Sequence, residues 1–127
     1  MYILTVEDSF AAAHQLHGYR GKCENLHGHN WKIELQVGGH TLNEIGLLLD
    51  FHDLKDILKT VLGDLDHCNL NETPVFSQVN PSSEQIAKHI ATEVQNHITN
   101  GDYADDIHVH AVTVWESGTS RCTYIPD

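Results

Sequence analysis

His27-Gly28-His29-Asn30-Trp31-Lys32-Ile33-Glu34-Leu35-Gln36-Val37 alternates without a break. His27, His29, Trp31, Ile33, Leu35 and Val37 fall on one side, and Gly28, Asn30, Lys32, Glu34 and Gln36 on the other. A period of two is the signature of a half-buried strand, and here it puts both histidines on the apolar face. The residues upstream read the same way, with Leu4, Val6, Phe10, Ala12 and His14 on one face and Asp8 as an interruption. His14 ends that strand. If the two strands close as an antiparallel hairpin over the loop 15–26, the end of the first lies beside the start of the second. His14 then meets His27 and His29 on one face.

Imidazoles on an apolar face need a partner, because burying an unpaired polar nitrogen costs about 1–3 kcal/mol. The arrangement therefore points to a metal ion, and three histidines with an open fourth position form the donor set of a catalytic zinc site. Cys23 stands in the hairpin loop, separated from His27 by Glu24, Asn25 and Leu26. Its thiol reads in two ways, as a fourth ligand that closes the site or as a reactive group beside it.

Length and composition set the frame. A chain of 127 residues is expected to form one domain, 1–127. A formal net charge of −11 with only 7 Lys and Arg residues argues against nucleic-acid binding, which needs basic side chains facing phosphates. No apolar stretch is long enough to cross a bilayer and no basic leader precedes one, so the expectation is a cytoplasmic protein without a membrane partner. Three cysteines with no paired spacing do not suggest a disulfide framework, and Cys68 and Cys122 read as packing residues.

Downstream of the hairpin the period changes. Phe51, Leu54, Leu58, Val61 and Leu62 recur at helical spacing behind an Asp50 cap, with Gly63 placed to end the segment. Ser82 and Gln85 resemble a capping box ahead of the stripe Ile86, Ile90, Val94 and Ile98. His89 and His97 fall among the polar positions and read as solvated, while Glu84 suits the helix dipole. Residues 107–115 and 121–125 alternate as two further strands around Ser117-Gly118-Thr119-Ser120. Glu116 follows Val112 and Val114 on their face, with His108 and His110 on the same face nearer the other end. The order ββααββ predicts an α+β fold, a four-stranded antiparallel sheet with two helices on one face. Its other face and its edges call for association.

Six blocks in order resemble the 6-pyruvoyltetrahydropterin synthase family. They are Phe10 to His14, the Cys23-x-x-x-His27-Gly28-His29 string, Leu49-Asp50-Phe51, Leu65-Asp66-His67 with Leu70 and Asn71, Asn80-Pro81-Ser82-Ser83-Glu84, and Val112, Val114 and Glu116. The short gap between Cys23 and His27 resembles the carboxy-forming branch, which serves queuosine (7-deazaguanine) biosynthesis. The resemblance implies a tunnelling fold, in which sheets join edge to edge into a barrel. It implies homohexamers built as two trimers, with active sites at subunit interfaces. It implies Zn2+ on His14, His27 and His29, and a proton-handling set of Cys23, Asp66 and His67. It also implies that Glu116 accepts paired hydrogen bonds from ring N3 and the 2-amino group of a pterin.

The activity implied is a lyase reaction on a small-molecule pterin triphosphate. It would convert 7,8-dihydroneopterin triphosphate to 6-carboxy-5,6,7,8-tetrahydropterin, releasing triphosphate and acetaldehyde. Two alternatives stand beside it: the pyruvoyl-forming synthase, which stops after triphosphate elimination, and a zinc-stabilised pterin-binding module without turnover. Arg20, Lys22 and Arg121 are the candidate triphosphate contacts, or else ordinary surface charges. The chain ends Tyr124-Ile125-Pro126-Asp127, where the family often carries a basic residue.

Overall fold

The computed structural model describes residues 1–21 and 24–127. Strand β1 (Tyr2–His14) and strand β2 (His27–Gly39) form the antiparallel hairpin, in register from Tyr2↔Gly39 to His14↔His27. Helix α1 (Phe51–Gly63) starts where Asp50 Oδ1 accepts from the His52 N–H at 2.8 Å. Strand β3 (Cys68–Asn69) is followed by two short 3-10 turns. Helix α2 (Ser83–Thr99) starts where Ser82 Oγ accepts from the Gln85 N–H. Strands β4 (His108–Ser117) and β5 (Ser120–Tyr124) close the chain.

The sheet order is β3-β1-β2-β4-β5. It has five strands rather than the expected four, because β3 pairs parallel with Ala12 and Ala13 of β1. A strand of two residues is too short to leave a periodic pattern in sequence. The remaining pairings are antiparallel.

Both helices pack on one face of the sheet. Trp31, Ile33, Leu35, Val112 and Val114 from the strands and Leu54, Leu58, Ile86, Ile90 and Val94 from the helices are fully buried between the layers. Each such side chain contributes about 1.5–3 kcal/mol of transfer free energy, so the apolar stripe around Trp31 is a firm footing for what stands beside it. Asp8 interrupts that stripe for a local reason: its Oδ1 turns to accept from the Ser9 N–H at 2.8 Å.

Two positions depart from the sequence pattern. His89 is half-buried rather than solvated, with its ring edge-on to Phe76 at 5.9 Å, and burial holds its imidazole below the usual value. Phe76 comes from a 3-10 turn that periodicity does not reveal. The second departure is a β-bulge in β4. Gln36 pairs with Ala111 and Val37 with Val109, leaving His110 as an extra residue. Val109 and Val112 both bury, so the expected common face of His108, His110 and Glu116 is broken at His110. No helix among the described residues is long and apolar enough to cross a membrane.

Candidate functional site

Strand pairing delivers the three histidines as expected. Ala12 lies opposite His29 and His14 opposite His27, so all three imidazoles stand on the helix-covered face at one end of the hairpin. Their ring centroids lie 4.6–5.3 Å apart, and Trp31 underlies them, 4.8 Å from His14 and 5.0 Å from His29. His14 is 1% exposed.

Two backbone carbonyls set the protonation pattern. His14 Nδ1 lies 2.7 Å from the Pro81 carbonyl oxygen, and His27 Nδ1 lies 2.8 Å from that of Asn25. A carbonyl only accepts, so each Nδ1 carries a ring proton, and in the neutral form of each ring Nε2 presents a lone pair. Those two Nε2 atoms are 3.1 Å apart. Two lone pairs cannot bond to one another, but a cation between them satisfies both. A carbonyl on the remote nitrogen is also how metal-ligating histidines are commonly oriented.

His29 Nε2 completes the cluster, buried and without a hydrogen-bond partner among the described residues. Burial pushes this imidazole below its ordinary value, against a pull from Glu116, and the His27 and His14 rings add to the depression. A neutral imidazole is the form that binds metal. Glu116 joins from β4, with Oε1 3.8 Å from His29 Nε2. Ligand atoms of His14, His27, His29 and Glu116 all lie within 4.8 Å of one another. Among the described residues this group could hold a metal ion.

Sequence reading put Glu116 on the face of Val112 and Val114 and gave it a pterin-binding role without joining it to the imidazole cluster; the structure also makes it the site of a second bulge. Trp115 pairs with Arg121 but Ser117 with Ser120, which makes Glu116 the extra residue of β4. Bulges re-aim side chains in this way beside functional sites. Ser83 Oγ donates to Glu116 Oε2 at 3.3 Å. An adjoining cleft of about 370 Å³ is lined by Ser83, Glu84, Glu116, Ser120, Arg121 and Cys122. Of the basic candidates, Arg121 lies over the Trp115 ring at 4.5 Å and Arg20 over Tyr19 at 5.4 Å. Lys22 and Cys23 lie outside the described residues.

Asp66 and His67 form a pair of their own. Asp66 Oδ2 is 2.8 Å from His67 Nδ1, while Asp66 Oδ1 accepts from the Ala11 N–H at 2.9 Å. The Ala11 N–H, and after it the His67 side chain, holds the Asp66 carboxyl below the usual carboxylate range. The His67 N–H donates to the Ala11 carbonyl oxygen at 2.6 Å, and His67 adopts φ 56°. A left-handed backbone at a non-glycine residue costs about 1–3 kcal/mol and marks a locally over-determined conformation. The His67 imidazole is 82% exposed. The contacts of this pair are to β1 rather than to the three imidazoles.

The chain leaving His14 is held by two asparagines that sequence reading had only noted within motif blocks. Asn71 Oδ1 accepts from the Gln15 N–H at 2.8 Å and its Nδ2 donates to the Gln15 carbonyl oxygen at 2.9 Å. Asn80 does the same for His17, both bonds at 2.8 Å. Each side-chain amide thus imitates a neighbouring strand.

Comparison with known proteins gives the family and the fold. A sequence profile of 6-pyruvoyl tetrahydropterin synthase matches residues 3–127. The chain is 31% identical over 144 aligned residues to 6-carboxy-5,6,7,8-tetrahydropterin synthase of Haemophilus influenzae, covering 98% of this chain and 99% of that one. It is 35% identical over 129 residues to the enzyme of the same name from Synechocystis, covering 98% and 93%. The solved structure of Caenorhabditis elegans 6-pyruvoyl tetrahydropterin synthase superposes with a TM-score of 0.80 at 29% identity, covering 100% and 98%. The α+β architecture is the expected tunnelling fold. With nearly every residue inside the matched profile, the chain belongs to the 6-pyruvoyl tetrahydropterin synthase family.

Proposed function

We propose that this protein is a zinc-dependent 6-carboxytetrahydropterin synthase acting on 7,8-dihydroneopterin triphosphate. The observation that carries the metal reading is the approach of two imidazole Nε2 atoms to 3.1 Å with both Nδ1 atoms committed to carbonyls. The names of the relatives in Haemophilus influenzae and Synechocystis support pterin as the substrate class and the carboxy acid as the product.

His14, His27 and His29 would hold the zinc. Once bound there, zinc would act as a Lewis acid toward the side-chain oxygens of the substrate and acidify the adjacent C–H bond. Glu116 would accept from ring N3 and the 2-amino group of the pterin, and Ser83 would orient its carboxylate. Asp66 would keep the His67 proton on Nδ1, leaving His67 Nε2 to accept and return a proton during tautomerisation. Cys23 would serve as the thiolate base on the other side of the substrate. Triphosphate then departs from the side chain, one water cleaves the resulting dicarbonyl, and its terminal carbons leave as acetaldehyde. The ring gains its two hydrogens at the expense of that side chain, so no redox cofactor enters the balance.

The free edges of β1 and β5 support assembly through the sheet, as trimers paired into hexamers, and the exposed His67 would complete its surroundings at a neighbouring subunit. Incubation of the zinc-loaded protein with 7,8-dihydroneopterin triphosphate, followed by mass analysis, tests the reading. Equimolar 6-carboxytetrahydropterin and acetaldehyde are expected. A pyruvoyl product without acetaldehyde would select the triphosphate-eliminating synthase, and intact substrate would leave a binding module.

A further inference from the structure

We propose that Glu116 is the fourth ligand of the metal in the substrate-free protein, and that an arriving pterin ring withdraws it. The first half rests on the geometry of the cluster alone; the second half rests on the pterin reading above.

Donor atoms at a tetrahedral zinc, bound at 2.0–2.1 Å, stand about 3.3 Å apart. Two of the six separations, 3.1 Å between His14 and His27 and 3.8 Å between His29 and Glu116, bracket that edge, and all six lie within 4.8 Å. At 3.8 Å the Glu116–His29 pair is too long for a hydrogen bond, and His29 Nε2 is buried with no other partner among the described residues. Among the described residues no Lys or Arg pairs with Glu116, whose ion-pair contact is His29 itself. Ser83 engages Oε2 and leaves Oε1 directed at the imidazoles. The Glu116 side chain is 42% exposed, yet its Oε1 faces the imidazole nitrogens, and a dication at their centre would give the carboxylate a direct positive partner.

The same carboxylate cannot serve two partners fully. Paired hydrogen bonds to a pterin edge need both oxygens, whereas metal ligation occupies Oε1. Pterin binding therefore vacates a coordination position at the moment the substrate side chain comes within reach of it. The position stays closed to other ligands until then. The two binding events oppose each other through Glu116, and by linkage the opposition is reciprocal.

The ligand half is tested without any pterin. Zinc affinity is measured by chelator competition, and the cobalt(II) absorption spectrum recorded, for the wild-type protein and E116Q. The expected result is zinc binding weakened by about tenfold or more in E116Q, with an altered cobalt ligand-field spectrum. The wild-type cobalt spectrum should lack a thiolate charge-transfer band. Unchanged affinity and spectrum in E116Q, or a thiolate band showing Cys23 in the fourth position, would overturn the assignment.

A second measurement uses wild-type protein alone, which keeps the test open if E116Q does not fold. Pterin itself, lacking a side chain to touch the metal, should bind several-fold more weakly to the zinc-loaded than to the zinc-free protein. Equal affinity in the two forms overturns the withdrawal. Failure of pterin to bind either form counts against the pterin reading and leaves the cobalt result to judge the ligand.

Discussion

Asp66→Asn separates proton handling from scaffolding. In the wild-type chain, Asp66 Oδ1 accepts from the Ala11 N–H and Oδ2 faces His67 Nδ1 at 2.8 Å. The substituted amide keeps its oxygen on Ala11, since reversing it would set two donors against each other. Its NH2 group then meets Nδ1, and the ring responds by moving its proton to Nε2. An imidazole protonated there cannot accept a proton from substrate. Positioned general acid–base groups supply about 10²–10⁴ in rate. A neighbouring subunit covering the His67 ring, which is 82% exposed in the single chain, would keep water from substituting for it, so the expected fall in kcat is at least about 10²-fold. Product formation is followed by mass analysis, with zinc content and KM measured alongside. Zinc content should not change, because the pair contacts β1 and not the three imidazoles. Wild-type kcat in D66N would refute the tautomer argument, and loss of zinc would show that the pair supports the metal site instead.

Three further outcomes follow from the same geometry. Cys23→Ala should retain full zinc and lose turnover; zinc loss would make Cys23 a ligand. Asn71→Ala removes two bonds to Gln15 and should cost about 1–3 kcal/mol in urea unfolding. Asn71→Asp should recover none of it, because the second oxygen would face the Gln15 carbonyl. His29 and His89 are both held below their ordinary values, chiefly by burial. As pH drops below about 6.5, an unfolded chain protonates these rings while the folded chain does not. The midpoint of thermal unfolding of zinc-free protein should therefore decline across that window, and a flat profile would contradict the burial of both rings.

The hairpin was legible because its information is local: an unbroken period of two in β2, a matching apolar face in β1, and a histidine at each facing strand end. The helix starts at Asp50 and Ser82 were legible for the same reason, since a cap is a side chain bonding to a backbone group within three residues of it. What escaped notice depends on partners far along the chain. Nothing in Cys68-Asn69 announces a strand, because its reason to be extended is the β1 edge. The bulge at His110 adds one residue without disturbing composition, so strict alternation carried His108 to the wrong face; Glu116 was put on the apolar face, but its approach to His29 depends on a different strand and leaves no local pattern. Asn71 and Asn80 were visible as residues but not as clamps, because their targets lie 56 and 63 positions away.

The short parallel strand and the turn before it have a consequence for assembly. Along the outer edge of β1, Asp66 and His67 occupy both backbone groups of Ala11, and β3 covers Ala12 and Ala13. Asp8 occupies the N–H of Ser9. The edge left open for another strand runs from Ile3 to Glu7, a stretch matching the length of Ser120–Tyr124 in β5. A neighbouring subunit that joined there would meet a built end-stop and could not slide toward the histidine end of the hairpin. The residues proposed to move protons would then also act as a ruler, setting the register in which one copy of the chain could be laid against the next.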